Sequence, residues 1–245
     1  MISELLLMSK NDIPFLAAQV NIHQPTIKEI GYIGEENFFA GCELLNFSKD
    51  LLTEEDKNNL EGLTNFEVLM SIMNDKSLNS QKSRACALMV LTLLFPTYEI
   101  IVTRTEIIFR KLEEPDHSLN KNNFENFKEI LVQMFCLKRN AGAEFNPSGD
   151  MARKIAEKLK QGQRKRQELA ADKNTKIDIF SRYISILSIG IPMDMNTLLN
   201  YSVYQLFDEF QRYELKLNSD IVFQARLAGA KDVKDADNWM KDIHS

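Results

Sequence analysis

The run from Ala85 to Phe95 is the longest apolar stretch in the chain, and Pro96 closes it. Its eleven residues, Thr92 included, fall short of the ~20 that a membrane-spanning helix needs. Proline cannot extend a helix, so the run reads as the end of a helix over about 81–95 that is apolar nearly all round. Such a helix has to be covered on every side and is expected to centre the N-terminal core. The 245 residues, 44% apolar and 27% charged, are ample to build that cover.

The segments around this helix are also mostly helical in pattern. Pro25 and Thr26 open a helix that Gly31 and Gly34 interrupt, and a second run follows with Phe38, Phe39, Cys42 and Leu45. Thr64 and Glu67 have capping-box spacing ahead of Phe66, Leu69, Met70 and Met73. Alternation replaces helical spacing in two places. Val20 and Ile22 allow a short strand, and Tyr98, Ile100, Val102 then Ile107, Phe109 suggest a hairpin about Arg104–Thr105. After the polar stretch Glu113–Asn123, helical spacing resumes at Phe124, Phe127, Ile130, Leu131 and Met134.

Gly142, Pro147 and Gly149 mark the best internal boundary, between residues 140 and 149. Beyond it Ile177, Phe180, Ile184 and Leu187 step by three and four up to Gly190, and Ser202 with Gln205 starts a long helix reaching toward Gly229. Substantial burial is expected between helices 176–189 and 203–228. The fold class is therefore mainly α, a multi-helix bundle with a small β element in the N-terminal half. Two parts are expected: 1–140, mixed helical, and 150–245, helical, which can pack as one unit.

Chemistry has few handles here. His23, His117 and His244 are far apart and no Cys or His pair has ligand spacing, so no metal and no cofactor is expected. Serines stand in neither GxSxG nor SxxK, and Glu35–Glu36, Glu54–Glu55 and Glu113–Glu114 are adjacent pairs that diverge on a helix. The reading is a protein that is not an enzyme. Three scattered cysteines, Cys42, Cys86 and Cys136, fit reduced thiols. Glu4 stands where a signal peptide would be basic. The expectation is a soluble intracellular protein with no membrane contact.

Two features suggest partners. Residues 151–171 hold seven Lys and Arg against two Glu, net +5, which leaves the rest of the chain at −10. A helix presenting Arg153, Lys154, Lys158, Arg164 and Arg166 suits a solvated face, an acidic protein surface or a nucleic-acid backbone. Without interleaved aromatics for base stacking, nucleic acid is the weakest of these readings. The second feature is the end of the chain, where Trp239, Met240 and Ile243 form a short apolar turn. It either clips the tail to the core or anchors a partner.

Four stretches together resemble a family of tailed-bacteriophage proteins from the tail-assembly region. They are Ile22 to Ile30 with Gly34-Glu35, Phe145-Asn146-Pro147 with the basic helix, Val203 to Phe210, and Arg226 to Ala230 with Trp239 to Ile243. The resemblance implies a tail assembly chaperone of the infected host's cytoplasm that shields apolar helical surface of the tape-measure protein. The partner contacts would be Trp239, Met240, Ile243 and the basic face, with homo-oligomers a further option. The chain is longer than compact tail chaperones, and the added N-terminal half suits the alternative of a structural virion protein at a tail or head-tail connector. A third alternative is a nucleic-acid-binding accessory protein acting through residues 151–171.

Overall fold

The computed structural model describes residues 2–49, 62–75, 77–137, 178–229 and 240. In chain order the first elements are α1 (Glu4–Met8), β1 (Ile13–Phe15), β2 (Val20–Ile22), α2 (Ile27–Ile33), α3 (Glu35–Leu45), α4 (Asn65–Asn74) and α5 (Leu78–Leu94). The hairpin β3 (Glu99–Val102) and β4 (Ile107–Arg110) follows, then β5 (His117–Leu119) and α6 (Phe124–Met134). The chain continues through α7 (Ile179–Gly190), α8 (Met195–Leu199) and α9 (Val203–Leu227). The fold is mainly α, with two small antiparallel sheets in the N-terminal half. The described residues of 1–137 and 179–245 belong to one compact unit. The boundary at 140–149 and the basic helix at 151–171 lie outside the described residues.

Helix starts follow their side chains. Thr64 and Glu67 form the capping box that their spacing predicts. Thr26 and Glu29 form another, which makes Thr26 the cap of α2 and leaves Pro25 outside the helix rather than at its first turn. Gly34 takes φ 83° between α2 and α3, a conformation that only glycine adopts at little cost, so the chain breaks there. Cys42 and Cys86 are buried, Cys136 is half-buried, and all three are free thiols.

Two strands escape the periodicity. β1 pairs with β2 in the register Ile13↔Ile22 and Phe15↔Val20, and Pro14 fits because the two-stranded sheet leaves it an unpaired side. β5 pairs with β4 through Ile107↔Leu119 and Phe109↔His117, inside the stretch that reads as polar loop. Only Leu119 of its three residues is buried, which is too little for any period to register.

α5 is the centre of packing, as its composition requires: Ala87, Val90, Leu91, Leu94 and Phe95 are all fully buried. The Phe95 ring lies tilted against Phe109 of β4 at 4.1 Å between centroids, and Phe127 of α6 completes this cluster at 6.3 Å from Phe95. A second cluster gathers on α3, where Phe38 meets Phe135 at 4.9 Å and Phe180 of α7 at 6.0 Å. Gln24, fully buried, ties the first residues to this core by donating to the Leu6 and Asn11 carbonyls at 3.0 and 2.7 Å.

A carboxylate links α7 to the N-terminal elements. Glu35, at the start of α3, accepts the Ile179 amide at 2.5 Å and the Phe180 amide at 3.2 Å. These amides open α7 and have no intrahelical acceptor, and the helix dipole adds to the attraction for negative charge. Glu35→Ala is expected to cost about 1–2 kcal/mol, read as a lowered urea midpoint. Glu36→Ala, on the same turn and paired with exposed Lys82 at 3.1 Å, is expected to cost about 0–1 kcal/mol.

Candidate protein-binding surface

α9 is the longest helix among the described residues, and its two halves differ in environment. Ser202 caps it in a reciprocal box: Gln205 N–H donates to the Ser202 hydroxyl at 3.3 Å and Ser202 N–H to the Gln205 carboxamide at 2.9 Å. Beside this cap Ile27 N–H donates to the Tyr201 carbonyl at 2.9 Å, so α2 and α9 start next to each other. Gln205 also donates to the Met8 carbonyl at 2.5 Å, and the Tyr204 hydroxyl donates to Glu4 at 3.2 Å.

The first three turns are packed. Val203, Tyr204 and Leu206 are buried. Phe207 meets the ring of Phe180 edge-on at 6.2 Å, and Phe210 stacks flat on Tyr183 at 3.7 Å. Tyr213 lies over the last residue of α7, where a methyl group on Gly190 would sit 2.1 Å from the tyrosine hydroxyl. Glycine at 190 is therefore what lets the ring approach. Asp208 is buried and holds Arg212 at 3.0 Å. Burial, with the Asp208 carboxylate nearby, pushes the Cys136 thiol up to about 11, so it stays protonated and unreactive at neutral pH.

Contacts advance in the same order along both helices, from Phe180 with Phe207 to Gly190 with Tyr213, and at Gly190 α7 ends. α9 continues through residues 214–227, a further ~20 Å at 1.5 Å per residue. Along it Leu217, Ile221, Phe223 and Leu227 are 45, 54, 63 and 73% exposed. The burial expected between the two helices is present over the first three turns of α9; beyond Tyr213 the helix keeps a half-buried side at Leu215, Ser219, Val222 and Ala225, while its other sides are exposed. Phe207 and Phe210 are half-buried.

Leu217 and Ile221 continue the line of Val203, Phe207 and Phe210. Val203, Phe207, Phe210, Glu214, Leu217, Ile221, Gln224 and Ala228 step by alternating fours and threes. That spacing keeps one face toward a partner helix over several turns. Of its first three positions Val203 is buried and Phe207 and Phe210 meet rings of α7; among the later ones Leu217 and Ile221 are apolar and open, with Glu214 and Gln224 as polar punctuation. Phe223 and Leu227, four residues apart, form a second exposed pair on another side of the helix.

Of the residues singled out from sequence, Met240 is 69% exposed. Trp239, Ile243, Arg153, Lys154, Lys158, Arg164 and Arg166 lie outside the described residues. The sequence does not single out Leu217, Ile221, Phe223 and Leu227 as surface, because apolar residues on a helix carry no mark of what covers them. The signal was length: a helix of 25 residues beside one of 12 cannot be covered throughout by it.

Elsewhere, a shallow cleft of about 890 Å³ opens between α4, the β3–β4 turn and the β5–α6 loop. Arg104, Glu106, Lys121 and Glu67 give it mixed charge, and its lining contains neither histidine nor cysteine. Among the described residues no three His, Cys, Asp or Glu side chains are grouped to hold a metal ion, and no helix is long and apolar enough to cross a membrane. No curated protein and no solved structure matches the chain. Residues 172–244, which include α7, α8 and the whole of α9, match the family model described as YomV second domain.

Proposed function

We propose that the chain is a phage assembly protein of the chaperone type, acting through the projecting half of α9. Its task is to cover an apolar helical stripe of a phage tail protein, the tape-measure protein before tail-tube subunits enclose it. The observation that carries the reading is the exposed continuation, at Leu217 and Ile221, of the 3-4 stripe that Val203, Phe207 and Phe210 pack. Apolar helical surface left uncovered during assembly self-associates, and a helix laid along it supplies the missing partner. Glu214 and Gln224 within the stripe lower its affinity and fix register, which suits a partner that has to be released. The family match supports the phage reading, because it spans the helices that form and present this surface. Trp239, Met240 and Ile243 would extend the contact beyond the helix. The role is non-catalytic and belongs to the cytoplasm of the infected host.

Capture of the tape-measure protein from an infected-cell lysate tests this. The double variant Leu217→Asp, Ile221→Asp is expected to lose capture by roughly 100-fold or more, because two buried aliphatic contacts contribute about 3–6 kcal/mol. Its thermal unfolding is expected to move little, since both positions are exposed. Capture unchanged by the pair would overturn the surface assignment. Presence of the protein in purified particles at fixed copy number would replace the chaperone role with that of a virion subunit.

A further inference from the structure

The three-stranded sheet has one guarded edge and one open edge. Thr103 N–H donates to the Glu106 carbonyl at 3.0 Å, and the register pairs Ile101 with Ile108 and Glu99 with Arg110. Antiparallel pairing alternates, so Glu99, Ile101 and the Thr103 amide turn toward β4, while Ile100 and Val102 turn their backbone groups away; the Thr103 carbonyl, at the end of the strand, accepts from the Asn74 carboxamide of α4 at 3.0 Å. No described residue takes the amides or carbonyls of Ile100 and Val102. At the opposite edge, Ser118 of β5 is the outward residue, and the Asn123 carboxamide donates to its carbonyl at 2.9 Å. β3 shows none of the usual defences. Its sequence Glu-Ile-Ile-Val has no proline, no lysine and no bulge, and its single charge pairs across the sheet with Arg110.

We propose that β3 is the pairing edge of a two-fold dimer, in which it meets β3 of a second copy antiparallel about Ile101. The sequence is self-complementary in this register. Ile100 of each copy faces Val102 of the other, so all four free backbone groups of each copy find partners. Ile101 faces itself on the outer side, and Glu99 faces Thr103, which keeps the two glutamates apart. Centring one residue earlier would set Glu99 against Ile101, and centring two residues earlier would oppose the two Glu99 carboxylates. The result is a six-stranded sheet in the order β5-β4-β3-β3-β4-β5, with the guarded edges outside. Four inter-copy hydrogen bonds and a few aliphatic pairs are small beside the ~1,200 Å² of a standard interface. The association is accordingly weak and concentration-dependent. It rests on the sheet alone and is independent of the role assigned to α9.

Disulfide capture on the full chain tests it. In this register the two Ile101 positions form a non-hydrogen-bonded pair with Cα atoms ~4.5 Å apart, within disulfide reach, whereas two residues at 99 lie well beyond the ~7 Å limit. Ile101→Cys is expected to form covalent dimer under mild oxidation at least about 10-fold faster than Glu99→Cys; the unaltered chain is the control for Cys42, Cys86 and Cys136. Adding Val102→Pro removes an outward amide and leaves the β3–β4 ladder intact. It is expected to return Ile101→Cys to the Glu99→Cys rate with far-ultraviolet circular dichroism unchanged. Equal rates for the two cysteine variants would overturn the proposal without reference to the proline. So would fast capture that persists in a folded proline variant.

Discussion

Replacing Phe38 with alanine is expected to lower the unfolding free energy by about 3–5 kcal/mol. Phe38 is fully buried on α3, and its ring meets three others. Phe39 lies at 5.4 Å, Phe135 edge-on at 4.9 Å with an interplanar angle of 80°, and Phe180 at 6.0 Å. These rings belong to α3, the end of α6 and α7, so the cavity would open where three helices meet and could not close by moving any one of them. Edge-to-face pairs add about 0.5–1.5 kcal/mol beyond burial, which puts the expected loss toward the top of its range. Phe207→Ala is the internal comparison. Its ring reaches the same cluster through Phe180 but is half-buried, so its loss is expected to be smaller. Urea midpoints of both variants check the order; equal midpoints would show that the junction collapses around a missing Phe38 ring.

The contrast between these phenylalanines shows what patterning can and cannot convey. Both stand on apolar helical stripes, and periodicity treats them alike. The class of fold, the α5 core, the β3–β4 hairpin and the caps at Thr64 and Ser202 were legible because each rests on local spacing. What covers a stripe depends on where another element ends, and that is a tertiary fact. α9 outruns α7 beyond Gly190, so Leu217 and Ile221 become surface although they continue the line of Val203 and Phe210. β1 and β5, at three residues each, are held by their partner strands and by side chains that bond backbone groups, Gln24 at Asn11 just before β1 and Asn123 at Ser118 within β5. The candidate site was legible in outline, since the long C-terminal helix was read as a stripe. Its exposure was not, and Met240 is the single residue of the sequence-derived contact set on which the structure speaks.

The same limit applies to glycine, and it sets the second large expected effect. Gly31 and Gly41 both sit inside helices, where alanine is intrinsically favoured by ~1 kcal/mol. At Gly31 an added methyl group meets nothing within 4 Å. Gly31→Ala is therefore expected to stabilise the protein by about 0.5–1 kcal/mol. At Gly41 the methyl would lie 2.5 Å from the Cys86 carbonyl oxygen and 2.6 Å from a Val90 methyl. The first of these atoms is helix backbone, which cannot rotate away, so α3 and α5 have to separate. That separation loosens the packing around Phe38, Cys42, Ala87 and Val90, all of them buried. Overpacking of this kind costs about 1–3 kcal/mol or more and outweighs the propensity gain, so Gly41→Ala is expected to destabilise by about 2 kcal/mol net. Opposite shifts in thermal midpoint for the two variants would confirm that Gly41 is kept for close approach of α3 to α5. A shift of the same sign would mean that the two helices yield to a methyl group and that the core around α5 is looser than its full burial implies.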